Sequence, residues 1–288
     1  MPGTFHMRCL HIPVVVAAAF LCLCAESAQK TCRVTCGGAY PYHLQGVATD
    51  GTNLYWSFTT ALVKTDLSGS VIATNSHPHT ISDGHMGDLC LKDGKLFVGM
   101  NFGKGSDGAR KGDAVWVYDT ETMERVASHP TPEPAWCNNG VEWFEGSFWV
   151  ITSAPRHSEY NYLYEYTPDF RYRTCVLVRS GWTNLGVQTI CRVGDAVYIG
   201  CYGSNDDKES PHKSCTIRVD GRRLLAAARG RGAKPVEADW RRDVNTAEGM
   251  FVLDGKVWEC HSVLLSCAAD GRKTWTAQAF PAKGLDMN

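Results

Sequence analysis

The sequence predicts an all-β fold, a single β-propeller of five blades with four antiparallel strands each, and six blades as the fallback. Three observations carry this expectation. A phrase made of a polar loop, a glycine, a short apolar strand, a turn and an aromatic strand returns five times along the chain. Its phase marks at residues 46, 88, 140, 186 and 249 are 42 to 63 residues apart, the span of a four-stranded unit with its loops. The composition suits turns and strands, with 28 Gly, 9 Trp, 11 Tyr and 10 Phe among 288 residues and only 20% charged.

Residues 1–27 read as a signal peptide. Arg8 precedes an apolar run from Ile12 to Cys24 interrupted by Pro13, and Ala25 and Ser27 suit cleavage before Ala28. The run is too short to span a membrane, and no later stretch is long enough. A secreted or periplasmic protein is therefore expected, with its propeller domain in residues 28–288 and a monomer as its state. Loss of Cys9, Cys22 and Cys24 with the signal leaves ten of the thirteen cysteines, none in a Cys-x-x-Cys pair. Structural disulfides, worth about 2–4 kcal/mol each, suit an exported chain better than zinc. Cys201 with Cys215 and Cys260 with Cys267 are the expected local staples.

The first phrase runs Tyr42-His43-Leu44-Gln45-Gly46 and meets Leu54-Tyr55-Trp56 through the Asp50-Gly51 turn. The second runs Gly84-His85-Met86-Gly87-Asp88 to Leu96-Phe97-Val98 through Asp93-Gly94, and the third Trp136-Cys137-Asn138-Asn139-Gly140 to Phe148-Trp149-Val150 through Glu145-Gly146. The fourth, Trp182-Thr183-Asn184-Leu185-Gly186, leads to Val197-Tyr198-Ile199 through Gly194-Asp195. The fifth, Asn245-Thr246-Ala247-Glu248-Gly249, leads to Val257-Trp258 through Asp254-Gly255. Such turns between alternating runs are the short-range mark of a hairpin. Third strands follow, such as Val115-Trp116-Val117-Tyr118, and then outer strands such as Val71-Ile72-Ala73 or Val176-Leu177-Val178. Leu224 to Ala228 reads as a short helix on an insertion before the fifth blade.

The innermost strand of a propeller blade lines the central channel, so the variable positions of the phrase are where chemistry is expected. Gln45, Asp88, Asn139, Glu142, Gln188 and Glu248 are expected to converge on one axis, with His43 and His85 sharing a column beside them. Three carboxylates, two histidines and three amides are more varied than a structural repeat requires. Carboxylates brought face to face repel unless a proton or a cation intervenes, so a divalent ion such as calcium, or a raised pKa, is expected. Asp88, Glu142 and Glu248 are the candidate acid–base residues. Tyr42, Trp136 and Trp182 open their phrases in loops, where a flat apolar face with a polar edge suits a sugar ring. The tryptophans at 56, 116, 149 and 258 fall in strand patterns and are expected in the core, while His77 and His79 flank Pro78 in a surface turn.

A net charge of −1 and a pI near 6.8 give no footprint for nucleic acid. No Gly-x-Ser-x-Gly elbow occurs, and the glycine-rich run from Gly103 to Gly108 has no helix after it, so neither a serine-hydrolase triad nor a phosphate loop is supported.

Glu248-Gly249-Met250 and Asn138-Asn139-Gly140-Val141 resemble the metal-binding segments of the NHL-repeat and gluconolactonase group. That resemblance implies a divalent cation such as calcium on Glu248 and Asn139, with Asp88 in the place of the family's aspartate, and a metal-dependent lactonase or hydrolase. His43-Leu44-Gln45-Gly46-Val47 with Lys64-Thr65-Asp66-Leu67 is similar to the opening of plant-type glutaminyl cyclotransferases, which implies a secreted five-bladed fold. Gly87 stands where that family has its catalytic glutamate. The expected function is binding of, and action on, a small polar ligand of carbohydrate origin at the channel mouth. A lactonase-like hydrolase and a non-enzymatic protein-interaction scaffold are the alternatives, with Trp136, Trp182, His43, His85, Gln45, Asn139 and Gln188 as ligand contacts in the first.

Overall fold

A computed structural model describes residues 33–75, 84–104, 111–155, 157–203, 213–230, 234–285 and 287. The signal segment, His77, His79 and Gly105 to Gly108 lie outside the described residues. Five sheets account for every named strand, and the chain fills them in order, blade by blade, except for its first strand and one two-residue strand after the helix.

The first blade holds β2 (Leu44–Thr49), β3 (Asn53–Phe58), β4 (Leu62–Asp66) and β5 (Val71–Thr74). The second holds β6 (His85–Lys92), β7 (Lys95–Asn101), β8 (Asp113–Asp119) and β9 (Arg125–Thr131). The third holds β10 (Asn138–Phe144), β11 (Ser147–Thr152), β12 (Ser158–Tyr166) and β13 (Tyr172–Thr183). In the fourth, β14 (Val187–Val193), β15 (Ala196–Cys201) and β16 (Cys215–Asp220) are joined by β18 (Trp240–Arg242). The fifth consists of β19 (Met250–Leu253), β20 (Lys256–Cys267), β21 (Lys273–Pro281) and β1 (Val34–Thr35). The five-bladed prediction stands, and no sixth blade forms among the described residues.

Acidic-glycine turns make the inner hairpins. Asp93, Glu145 and Asp254 adopt φ near +50°, each followed by a glycine with positive φ, a combination that two-residue hairpin turns demand. Between blades the sheets bury continuous apolar faces. Trp56 and Trp149 are fully buried, and Trp116 and Trp258 nearly so, as their strand positions predict. The expected short helix is α1 (Gly221–Arg229), started by Asp220, whose side chain accepts from the Arg223 N–H, and buried through Leu224. A two-residue strand, β17 (Val236–Glu237), then adds in parallel to β13 as a fifth strand of the third blade.

The last blade departs from expectation. The residues after Gly249 supply three of its strands, and the fourth comes from the beginning of the described chain. β1 pairs with β21 through Val34 with Ala279 and Thr35 with Gln278. The Cys36 N–H donates to the Ala277 carbonyl at 2.9 Å, and Tyr40 exchanges two 2.8 Å backbone bonds with Trp275. This closes the ring across the seam between blades one and five.

The two expected staples separate. Cys201 and Cys215 face each other on neighbouring strands in direct register and are both buried. Cys260 and Cys267 share β20, seven residues apart, which at the rise of a strand is about 20 Å. They cannot bond. The hairpin expected between them instead joins β20 to β21.

Val34 is 3% exposed in the core of this seam, so its removal forfeits about 1.5–3 kcal/mol of burial. Replacing Val34 by Asp is expected to lower the thermal midpoint by several degrees, read by circular dichroism. An unchanged midpoint would show that the seam does not depend on β1.

Candidate functional site

The inner strands β2, β6, β10, β14 and β19 surround the axis, and four of them carry a bulge at the same level. The pairing slips at Gln45 in β2, at Gly87 and Asp88 in β6, at Asn139 in β10 and at Gln188 in β14. Glu248 stands just ahead of β19 at the corresponding place, since the Gly249 carbonyl accepts from Cys260. A bulge turns its extra residue out of the ladder, so Gln45, Asn139, Gln188 and Glu248 share one tier at the mouth.

The fourth phrase therefore sits three residues out of its expected register. Thr189, not Gly186, matches the glycine column, and Gln188 joins the amide tier instead of lying level with Glu142. Gly186 is a glycine for a local reason: its φ is +84°, and a Cβ there would lie 2.4 Å from the Ala154 nitrogen. It shapes the loop ahead of β14, not the channel.

The tier below is closed by contact. A Cβ on Gly46 would lie 2.2 Å from Asp88 Oδ1, one on Gly140 2.6 Å from Asp88 Cβ, and one on Gly87 2.1 Å from the Asn139 carbonyl oxygen. Only glycine lets three blades meet around one side chain. Asp88, 1% exposed, reaches across and accepts the Ile190 N–H of β14 on Oδ2 at 2.8 Å. Its Oδ1 has no hydrogen-bond partner among the described residues. Burial pushes the Asp88 carboxyl well above the usual carboxylate range, against the pull of its backbone N–H partners, and the Glu142 charge adds to the rise.

On the far side Glu142 does for the next donor what Asp88 does above it. Its Oε2 accepts the Arg192 N–H at 2.9 Å and its Oε1 accepts the Trp143 N–H at 2.7 Å. Burial raises it to about 7, against those same N–H bonds. It lines a cavity of about 190 Å³ with Cys90, Cys191 and Arg192. Burial keeps both thiols well above their ordinary value, and so unreactive.

The three candidate carboxylates thus occupy three levels. Only Glu248 belongs to the mouth. Its Oε2 accepts the Ser262 N–H at 2.6 Å, and Ser262 Oγ in turn accepts the Leu44 N–H at 2.9 Å, which stitches blade five to blade one. Gln45 Nε2 lies 2.7 Å from His43 Nε2 and donates to it. Burial lowers the His43 pKa, only partly offset by Glu248, so the ring is a neutral acceptor. Asn139 donates to Ser153 Oγ at 2.9 Å and to the Val187 carbonyl at 2.8 Å, while its Oδ1 accepts from Cys137 Sγ. His85 opens β6, half-buried and opposite Asn101.

The expected cation ligands do not share one level: Asn139 and Glu248 lie on the mouth tier and Asp88 on the tier below, and each gives one oxygen to a donor of its own. No cluster of three or more His, Cys, Asp or Glu side chains of metal-holding geometry exists among the described residues.

Aromatic side chains ring the mouth. Trp136 is 44%, Trp182 49% and Tyr42 37% exposed. Trp182 was expected in a loop but stands at the end of strand β13, because that strand runs on to Thr183, and Arg241 Nη1 donates to its carbonyl at 2.7 Å. Sequence reasoning did not single out Arg241, Ser262, Trp275 or Tyr202. Tyr202 lies just past β15, raised to about 12 by burial and by the Glu248 charge. Tyr202 lies one residue beyond a strand end and Arg241 on the outer strand of blade four, whereas Ser262 and Trp275 lie within the long β20 and β21.

No protein-family model and no curated protein matches the chain. Among solved structures it is similar to the GH43_1 enzyme of Xanthomonas citri complexed with xylose, at 11% identity and a TM-score of 0.50 over 82% of this chain and 92% of that one. It also matches the Pan2 WD40 domain of Neurospora crassa, at 10% identity and a TM-score of 0.42 over 85% of this chain and 77% of that one. The first likeness shows the propeller fold; the second carries no weight beyond it.

Asp88 and Glu142 bind protons more tightly in the folded chain than the ordinary values of 3.8 and 4.5. The folded state then holds more protons than the unfolded one, so stability falls as pH rises. The loss should run from about pH 4.5 through about 7 for Glu142, and begin near 3.8 for Asp88. Urea midpoints measured between pH 5 and 8 should decline for the native chain and decline less for Asp88→Asn and Glu142→Gln. Equal slopes in all three would contradict this assignment.

Proposed function

We propose that this is an exported propeller that binds a small polar ligand of carbohydrate origin at the mouth of its closed channel. The observation that carries the reading is the pair of exposed tryptophans, Trp136 on the loop that leads into β10 and Trp182 at the end of β13, just ahead of the adjacent inner strand β14. Large aromatic faces left in water ahead of a ring of fixed amides and a carboxylate suit a sugar, which offers an apolar ring face and a rim of hydroxyls. Gln45, Asn139, Gln188 and Glu248 supply the polar ring, and Arg241 holds the end of β13 at Trp182. The X. citri enzyme of like fold was solved with xylose, a sugar of the class proposed.

Binding is favoured over hydrolysis by the duties of the carboxylates. Glycoside hydrolysis uses two carboxyl groups about 5–9.5 Å apart across the scissile bond. Asp88 and Glu142 are committed to backbone N–H groups of β14, below the mouth. Glu248 remains as a hydroxyl acceptor.

Isothermal titration with neutral pentose and hexose oligosaccharides, xylotriose among them, tests the reading. Trp182→Ala and Trp136→Ala should each weaken binding about fivefold to tenfold, the worth of one aromatic contact. Glu248→Gln should weaken it by a similar factor. Affinities unchanged by all three substitutions would overturn it.

A further inference from the structure

We infer that the mouth site extends sideways into a groove built for an anionic stretch of saccharide, so that the ligand is an oligosaccharide bearing carboxylate or sulfate groups. This rests on the carbohydrate reading above and adds its substrate class. The groove, about 860 Å³, opens between the loop of Pro41, Tyr42 and His43 and the far end of the β20–β21 hairpin. That is near the top of the range for small-molecule sites, about 300–1,000 Å³, and leaves room for more than one ring.

Its walls are tied by hydrogen bonds. Trp275 is half-buried on β21 and tied to Tyr40 by two 2.8 Å backbone bonds, and the hairpin end is braced by Ser266 Oγ against Thr274 Oγ1 at 2.6 Å. Tyr42 and Trp275 give the groove aromatic sides, with the His43 ring edge-on to Trp275 at 6.3 Å. His43 also joins the groove to the channel mouth, because its Nε2 meets Gln45. A chain lying along the groove would reach the polar ring without a gap.

The charge of the rim selects the ligand. Arg272 and Lys273 stand at the hairpin end against one carboxylate, Asp270, which Arg272 Nε meets at 2.7 Å. His43 is neutral, so the lining carries one net positive charge. A guanidinium held in place by a neighbouring carboxylate keeps its outer nitrogens for a planar anion. At the opposite end lies Glu248, which repels an anion. The ligand is thereby oriented, acidic residue toward the hairpin and neutral residue toward the mouth.

The probes are a tetrasaccharide of galacturonic acid and its methyl ester, equal in length and different in charge, titrated into the full chain. The native chain should bind the acid at least tenfold more tightly than the ester, and that preference should shrink as salt is raised. Arg272→Glu with Lys273→Glu, both exposed and outside the core, should cost the acid at least tenfold and the ester less than twofold. Equal affinities for the two probes, or a charge reversal that leaves the acid unaffected, would overturn the inference. If the reversal abolishes binding of the acid while Trp182→Ala and Glu248→Gln have no effect, the anionic groove stands and the mouth reading falls. If neither probe binds the native chain, the inference falls, and xylotriose binding then decides the mouth reading separately.

Discussion

The inner strands of a propeller are sheet edges turned toward one another, and their unpaired backbone donors have to be answered in a space with little water. In this chain β14 is answered by carboxylates from two other blades. Asp88 takes the Ile190 N–H and Glu142 takes the Arg192 N–H, two residues further along the same edge. Much of the remaining architecture serves those contacts. Gly46, Gly87 and Gly140 let the blades approach closely enough for Asp88 to span them, and the closed tier separates the mouth from the cavity on the far side. The cost is one buried and one half-buried acid whose pKa values are both raised by loss of water around them.

The repeat was legible because a hairpin turn and an apolar strand pair are local, and local chemistry repeats when the fold does. The blade count, the buried tryptophans and the helix at 221–229 all follow from such signals. Register in the fourth blade did not follow, because Gly186 answers a turn and Gly46 answers a neighbouring blade, and the residue type is the same for both. The spacing of Asp88, Glu142 and Glu248 along the axis was not legible for a related reason. Column membership says which strand position a carboxylate holds. It does not say which edge of which blade lacks an acceptor, and that need sent each carboxylate to its own level.

The mouth itself is asymmetric in a way that a repeat conceals. Blade three brings both exposed tryptophans, while the seam of blades five and one brings Glu248, Ser262, His43 and the long β20–β21 hairpin. Trp275 and Arg241 matter through elements behind the mouth, so a scan of the loops alone passes over them. The residues that vary between copies of a repeat mark where function is sought, and the strands that lengthen, as β20 and β21 do, mark where it extends.

The shared last blade also sets an order on the folding of the chain. Thr276 Oγ1 bonds the Cys36 carbonyl across 240 positions of sequence. Contacts so remote in the chain form late, because the loop between them must close before they gain anything. The earliest described strand has to wait, unpaired, through the synthesis of four complete blades. Its extreme shortness, two residues, with Thr35 exposed, gives it little edge to offer a wrong partner during that interval. The clasp that finishes the ring is small enough to stay harmless until its partner strand exists.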